Sequence, residues 1–176
     1  MRTEERRDAL LQTLQDARGP VSAAALARRF SVSRQIIVGD IALLRAGGAD
    51  ISATPRGYVI LRDRGGITRT VACQHDAAQM QSELNAIVDQ GCTVVDVIVE
   101  HPIYGQLTGP LQLSSRHDVD QFILRCREAE ALPLSRLTDG IHLHTLSCPD
   151  EAAFQRVRQC LGELGILLDA REDQLR

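Results

Sequence analysis

An α+β chain in two domains is predicted by three features of the sequence. Residues 21–60 carry two helix-period runs, a sharp turn and a hairpin, residues 65–176 alternate strand-like and helix-like runs, and the charge changes sign between the two parts. Up to Arg64 eleven arginines face seven acids; from Gly65 on, nine basic residues face sixteen acids. A formal net charge of −3 therefore hides a basic front and an acidic remainder, the asymmetry of a chain in which one part meets phosphate and the other does not. A length of 176 residues suits two small domains. The boundary is expected at the polar, glycine-containing joint Arg62-Asp63-Arg64-Gly65-Gly66, giving domains 1–64 and 65–176.

The opening stretch MRTEERRDALLQTLQDAR reads as an amphipathic helix rich in both charges. It is not a basic-then-apolar leader, and no apolar run in the chain is long enough to span a bilayer, so a cytoplasmic protein with no membrane partner is expected. Next, Leu26 and Phe30 lie one turn apart. Ile36, Ile37, Ile41, Leu43 and Leu44 then recur at spacings that assign them to one face of a helix over 33–45. Ser33 is the N-cap. The opposite face carries Arg34, Gln35, Val38, Ala42 and Arg45, a donor-rich edge where a recognition helix presents its first turns to base edges. Asp40 falls on the apolar side and is expected to pair with a buried donor. Gly47-Gly48 ends the helix, 51–54 rises as a strand, Pro55-Arg56-Gly57 turns and 58–61 returns, which makes a wing.

The wording of VSAAALARRFSVSRQIIVGDIALLRAGGADISATPRGY is similar to the winged helix-turn-helix of bacterial repressors and of biotin-ligase repressors. A ligase is excluded, because the remaining length is short and no phosphate-binding glycine motif occurs. The resemblance implies that Ser33, Arg34 and Gln35 dock on phosphate and base edges, with Gln35 suited to adenine and Arg34 to guanine or phosphate. It implies backbone or minor-groove contacts for Arg28, Arg29 and Arg56. Gly39 departs from the pattern, standing mid-helix where related repressors often carry a long polar residue, at about 1 kcal/mol of helix stability relative to alanine.

In the second domain, 68–74, 92–100, 104–113 and 140–146 read as strands and 76–89, 116–131 and 150–164 as helices. The order βαββαβα favours an antiparallel or mixed sheet with helices on one face. Five cysteines, at 73, 92, 126, 148 and 160, are scattered without a C-x-x-C pair, so neither a disulfide framework nor a cysteine-type zinc site is indicated. Histidine carries the chemistry. In Gly140-Ile-His-Leu-His-Thr145, strand alternation sends His142 and His144 to one face, their Cα atoms roughly 6 to 7 Å apart, within reach of one divalent ion. A half-exposed sheet face also tolerates such a pair. His75 could complete the set, with Asp96, Glu100 and, more weakly, Cys73 as further candidates. Nitrogen and carboxylate ligands suit nickel, zinc or iron alike.

VDQGCTVVDVIVEHPIYGQLTGPLQLSSRHDVDQFI followed by PLSRLTDGIHLHTL resembles the three-histidine (3H) domain, which is joined in bacteria to this kind of helix-turn-helix. The two halves together resemble the NiaR-type family of nicotinate-responsive repressors of NAD-biosynthesis and niacin-uptake genes. That resemblance implies an HPr-like α+β sandwich, a homodimer, and a bound transition metal, nickel or zinc, held by His75, Glu83, His142 and His144. A helix beginning at Asp76 would carry Glu83 about 10 Å from its start, so it reaches the ion only if the strand end curls back. His101, in the turn Glu100-His-Pro-Ile-Tyr-Gly105, is either a turn residue or part of an effector pocket. His117 is expected to be solvated, and Arg116 is a candidate counter-charge for a carboxylate effector. Expected partners are a double-stranded DNA operator and nicotinate as corepressor. The alternative is a histidine-phosphorylated regulator of a phosphotransferase-linked carbohydrate pathway. A metallohydrolase lacks an evident general base, and no enzymatic activity is expected.

Overall fold

The computed structural model describes residues 2–60, 65–129 and 132–168. The chain divides into two compact units, Met1–Arg64 and Gly65–Arg176. Arg62, Asp63 and Arg64, three residues of the expected joint, lie outside the described residues, as do 130–131 at the end of the second helix expected in the second part.

The first unit comprises α1 (Thr3–Asp16), α2 (Ala23–Phe30), α3 (Arg34–Ala46) and a hairpin of β1 (Ile51–Thr54) and β2 (Gly57–Ile60). Ser22 and Ser33 cap α2 and α3, their hydroxyls accepting from the Ala25 and Ile36 backbone N–H groups. Between these helices Ser31 takes a left-handed conformation that turns the chain sharply. Leu10, Leu14, Leu26, Ile37, Ile41 and Ile51 form the core. The hairpin closes through the two-residue turn Pro55-Arg56, since Thr54 pairs with Gly57. Val21 bridges to Tyr58, and Gly57, at φ +134°, passes so close to it that a Cβ would stand 2.3 Å from the Val21 carbonyl oxygen.

One expected face needs correction. Ile36 is 42% and Leu43 56% exposed, whereas Ile37, Asp40 and Ile41 are buried. At 100° per residue Ile36 and Leu43 lie a quarter turn or more from Ile37, so the buried stripe is narrower than the run of apolar residues implies. Asp40 sits in that stripe and accepts from Arg6 of α1 at both oxygens, at 2.7 and 3.2 Å.

The second unit is α+β: β3 (Ile67–Gln74), α4 (Met80–Val88), β4 (Thr93–His101), β5 (Gly105–Leu113), α5 (Arg116–Glu128), β6 (Ile141–Cys148) and α6 (Glu151–Glu163). All strand pairs are antiparallel, in the spatial order β3-β6-β4-β5. Val71, Val94, Leu113, Leu146 and Cys148 of the sheet pack with Leu84 and Ile87 of α4, Val119 and Ile123 of α5, and Phe154, Val157 and Leu161 of α6. β6 lies inside the sheet, paired with β3 on one side and β4 on the other. One pairing had no signal in the residue pattern: Leu168 N–H donates to the Ala72 carbonyl and Gln74 N–H to that of Ile166, covering the outer edge of β3.

Candidate metal centre and nucleic-acid interface

In β6 the buried residues are His142, His144, Leu146 and Cys148, while Ile141 and Leu143 point the other way. His142 lies opposite Cys73 and His144 opposite Val71 in the register with β3. His75 follows the end of β3, where its carbonyl oxygen would stand 2.3 Å from a Cβ on Gly140, so glycine at 140 lets the two chains approach. Asp76 then caps a single 3₁₀ turn, Ala77–Gln79, and α4 begins at Met80. This turn is the curl that Glu83 requires. Glu83 therefore falls in the first turn of α4 instead of two turns along a helix begun at Asp76, and its side chain is 1% exposed above the sheet.

Glu83 meets all three imidazoles. Its oxygens lie 2.7 Å from His75 Nε2, 3.0 Å from His142 Nε2 and 3.4 Å from His144 Nε2. The ring centroids of His142 stand 4.9 Å from His75 and 4.8 Å from His144, nearly edge-on to each. Every Nδ1 is spoken for by a backbone carbonyl: His75 to Asp76 at 2.6 Å, His142 to Gly140 at 2.8 Å and His144 to Asp96 at 2.6 Å. A carbonyl only accepts, so the proton sits on Nδ1, and in a neutral ring the Nε2 lone pair would face a carboxylate. Two acceptors repel at these distances unless a cation lies between them. Either the rings carry a second proton and Nε2–H donates to Glu83, or a metal ion replaces those protons. Nδ1 anchored on a carbonyl with Nε2 free to ligate is the second shell that metal-binding histidines use. The donor set fits a divalent transition metal.

The electrostatics follow the same geometry. Burial by itself would raise Glu83, but the imidazoles, His144 foremost, hold its carboxyl well below the usual carboxylate range. Burial pulls His75 and His144 down, and the Glu83 carboxylate outweighs it, so both rings titrate above the ordinary imidazole value.

The rival carboxylates are placed differently. Asp96 accepts from the Thr145 backbone N–H at 3.0 Å and helps the cluster through its carbonyl instead, and Glu100 is exposed. Cys73 is fully buried, and its sulfur, a Glu83 oxygen and a His142 ring nitrogen all lie within 4.8 Å of one another. His101 Nδ1 accepts from the Ile103 and Tyr104 N–H groups at 3.2 and 3.3 Å, a turn-holding role. Arg116 pairs with Asp89, Nε to Oδ1 at 2.7 Å. Among the described contacts neither His101 nor Arg116 touches the histidine cluster. The cluster is also poorly built for phosphoryl transfer, because the His75, His142 and His144 side chains are 3%, 2% and 3% exposed.

In the first unit, Arg28 and Arg29 at the end of α2, Ser33 at the N-cap of α3, and Arg34, Gln35 and Arg45 on α3 are all exposed. Arg56, in the hairpin turn, is half-buried.

Residues 6–59 match an HTH domain model and residues 68–170 a 3H domain model. The chain is 42% identical over 166 residues to a Thermotoga maritima protein named probable transcription repressor NiaR, covering 94% of this chain and 95% of that one. It is 44% identical over 167 residues to the transcription repressor NadR of Bacillus subtilis, covering 93% of each.

The chain belongs to the NiaR/NadR family of transcription repressors. As a member of that family it is a DNA-binding regulator and not an enzyme. Its helix-turn-helix is the part that meets DNA, and its 3H unit contains the candidate metal centre. Among the described residues, no helix is long and apolar enough to cross a membrane.

Proposed function

We propose that the protein represses NAD-biosynthesis and niacin-uptake genes in the cytoplasm, with nicotinate as corepressor, and that the 3H unit senses nicotinate through a nickel or zinc centre held by His75, Glu83, His142 and His144. The observation that carries this reading is the convergence of three Nε2 atoms on one buried carboxylate, each ring anchored at Nδ1, in a chain that also bears a complete DNA reader. Glu83 sets the charge of the site, the carbonyls of Asp76, Gly140 and Asp96 orient the rings, and burial keeps bulk water from competing.

On the DNA side, Arg34 and Gln35 read base edges from the capped start of α3, while Arg28, Arg29, Ser33, Arg45 and Arg56 hold phosphate. The working species is a homodimer whose two recognition helices stand about 34 Å apart on a palindromic operator. Nicotinate shifts occupancy by binding better to the operator-competent dimer geometry.

Elemental analysis of the purified protein, followed by mobility shift on its own upstream DNA with and without nicotinate and related pyridines, tests the reading. A His142→Ala, His144→Ala double variant serves as control. The expected result is one metal per chain and tighter operator binding with nicotinate, lost in the variant. Unchanged operator affinity of metal-loaded protein at saturating nicotinate sinks the corepressor, and an equal response in the double variant removes the metal from sensing.

A further inference from the structure

We propose that Cys73 supplies a thiolate to the same ion as His75, Glu83, His142 and His144, so that the centre of this chain is a mixed nitrogen, oxygen and sulfur site. The inference rests on the metal centre proposed above. Its basis is register: Cys73 of β3 lies directly opposite His142 of β6, and both point to the helix-covered face beneath Glu83. His75 follows two residues on, just past the end of β3, and His144 two residues along β6, so two neighbouring strands and the segment leaving one of them present four donors to one carboxylate. Sγ of Cys73, a Glu83 oxygen and a His142 nitrogen already lie within 4.8 Å of one another. Donors bound to one ion at roughly 2.1 and 2.3 Å stand at most about 4.4 Å apart, so a small side-chain rotation brings any of these pairs within range.

The other cysteines show the contrast. Cys92 and Cys148 are as deeply buried, but their thiols meet each other, and Cys160 receives a weak hydrogen bond from Gln90, whereas the Cys73 thiol faces the Glu83 carboxylate of the cluster and donates to it. An alanine or valine would fill position 73 as Val71 fills the neighbouring core position, yet neither offers a lone pair to the cluster. As the Sγ–metal bond forms, the thiol proton leaves to solvent. A soft thiolate beside imidazoles moves the site's preference toward zinc, cobalt and nickel and away from magnesium and manganese.

The full chain, stripped of metal and loaded with cobalt(II) under anaerobic reducing conditions, tests the assignment. Wild type is expected to show a near-ultraviolet thiolate-to-cobalt charge-transfer band at one cobalt per chain. Cys73→Ser should lose the band while still binding cobalt through the histidines and Glu83, with zinc affinity reduced by at least about tenfold, the lower end of what even lost outer-shell groups cost. Cys148→Ser should keep both. Stoichiometric cobalt without the band in wild type, or the band undiminished in Cys73→Ser, overturns the role of Cys73 and leaves the histidine centre standing. No stoichiometric cobalt binding in wild type overturns the centre itself and Cys73 with it. Because Cys73→Ser alters a core position, X-ray absorption of zinc-loaded wild type gives a decision without any variant: one sulfur at about 2.3 Å supports the ligand, and a shell of nitrogen and oxygen alone rejects it.

Discussion

Glu83 shows how one buried side chain sets the chemistry of its neighbours. His75 and His144 titrate above the ordinary imidazole value because they face its carboxylate, and Glu83 titrates low because it faces them. In metal-free protein the raised histidines contribute stability that is full below their unfolded value, about 6.5, and is lost as pH rises through the raised values. Glu83 contributes stability present above its own unfolded value and lost as pH falls through the lowered one. A metal ion competes with the histidine protons, so its affinity moves in the opposite direction and grows with pH. The expected outcome is that the gain in Tm on adding zinc or nickel increases between about pH 6 and about pH 8, where histidine changes charge. Thermal scans of stripped and loaded protein check this, and a gain that stays flat or shrinks across that interval contradicts the ligand assignment.

At the scale of elements, α3 combines a narrow buried stripe with a broad exposed face. Arg6 of α1 grips Asp40 from behind, holding the helix by a pair whose side chains are 13% and 4% exposed. Removing Arg6 would leave the buried Asp40 carboxylate without its counter-charge, the costly way to break such a pair. Gly39 lies nearly opposite Ile37 on the helix, and a Cβ there would meet nothing within 4 Å. Gly39→Ala should therefore stabilise the first unit by about 1 kcal/mol. In a domain of this size that is a rise in Tm of roughly 4 to 8 °C. Denaturation followed by circular dichroism checks it, and a destabilised variant would mean that α3 needs the freedom of glycine at that point.

For the molecule as a whole, affinity for DNA and specificity have separate sources on the proposed reading. Arg28→Ala should weaken binding to all sequences alike and lower the salt slope by about 1, whereas Gln35→Ala should cost about 1–3 kcal/mol and relax preference at one operator position. Titrations on operator and scrambled DNA at several salt concentrations separate the two. Equal losses on both DNAs for Gln35→Ala would remove it from base reading. The excess of four positive charges in the first 64 residues is modest, and doubling it in a dimer is a physical reason for the dimer to be the species that holds the operator.

Much of the arrangement was legible from periodicity and turn chemistry, because both are local. The Ser33 cap, the wing hairpin, the βαββαβα order and the shared face of His142 and His144 follow from which residue types stand at which spacing, although Gly57, read as part of the turn, already pairs in β2. The exposure of Ile36 and Leu43 did not, since apolar character does not say how wide a stripe the neighbouring elements cover. Glu83 was named only through family resemblance; its reach depended on a 3₁₀ turn at Ala77–Gln79 that helical periodicity does not distinguish from the start of α4. Cys73 beside His142, and the edge of β3 covered by 166–168, depend on strand register and on contacts between residues far apart in the chain. The sequence by itself determined the class of partner and the residue types of the site, because those are properties of side chains in order. Only the tertiary structure decided which donors converge, because antiparallel pairing of β3 with β6 and the placing of α4 above them join groups up to 69 positions apart, from His75 to His144.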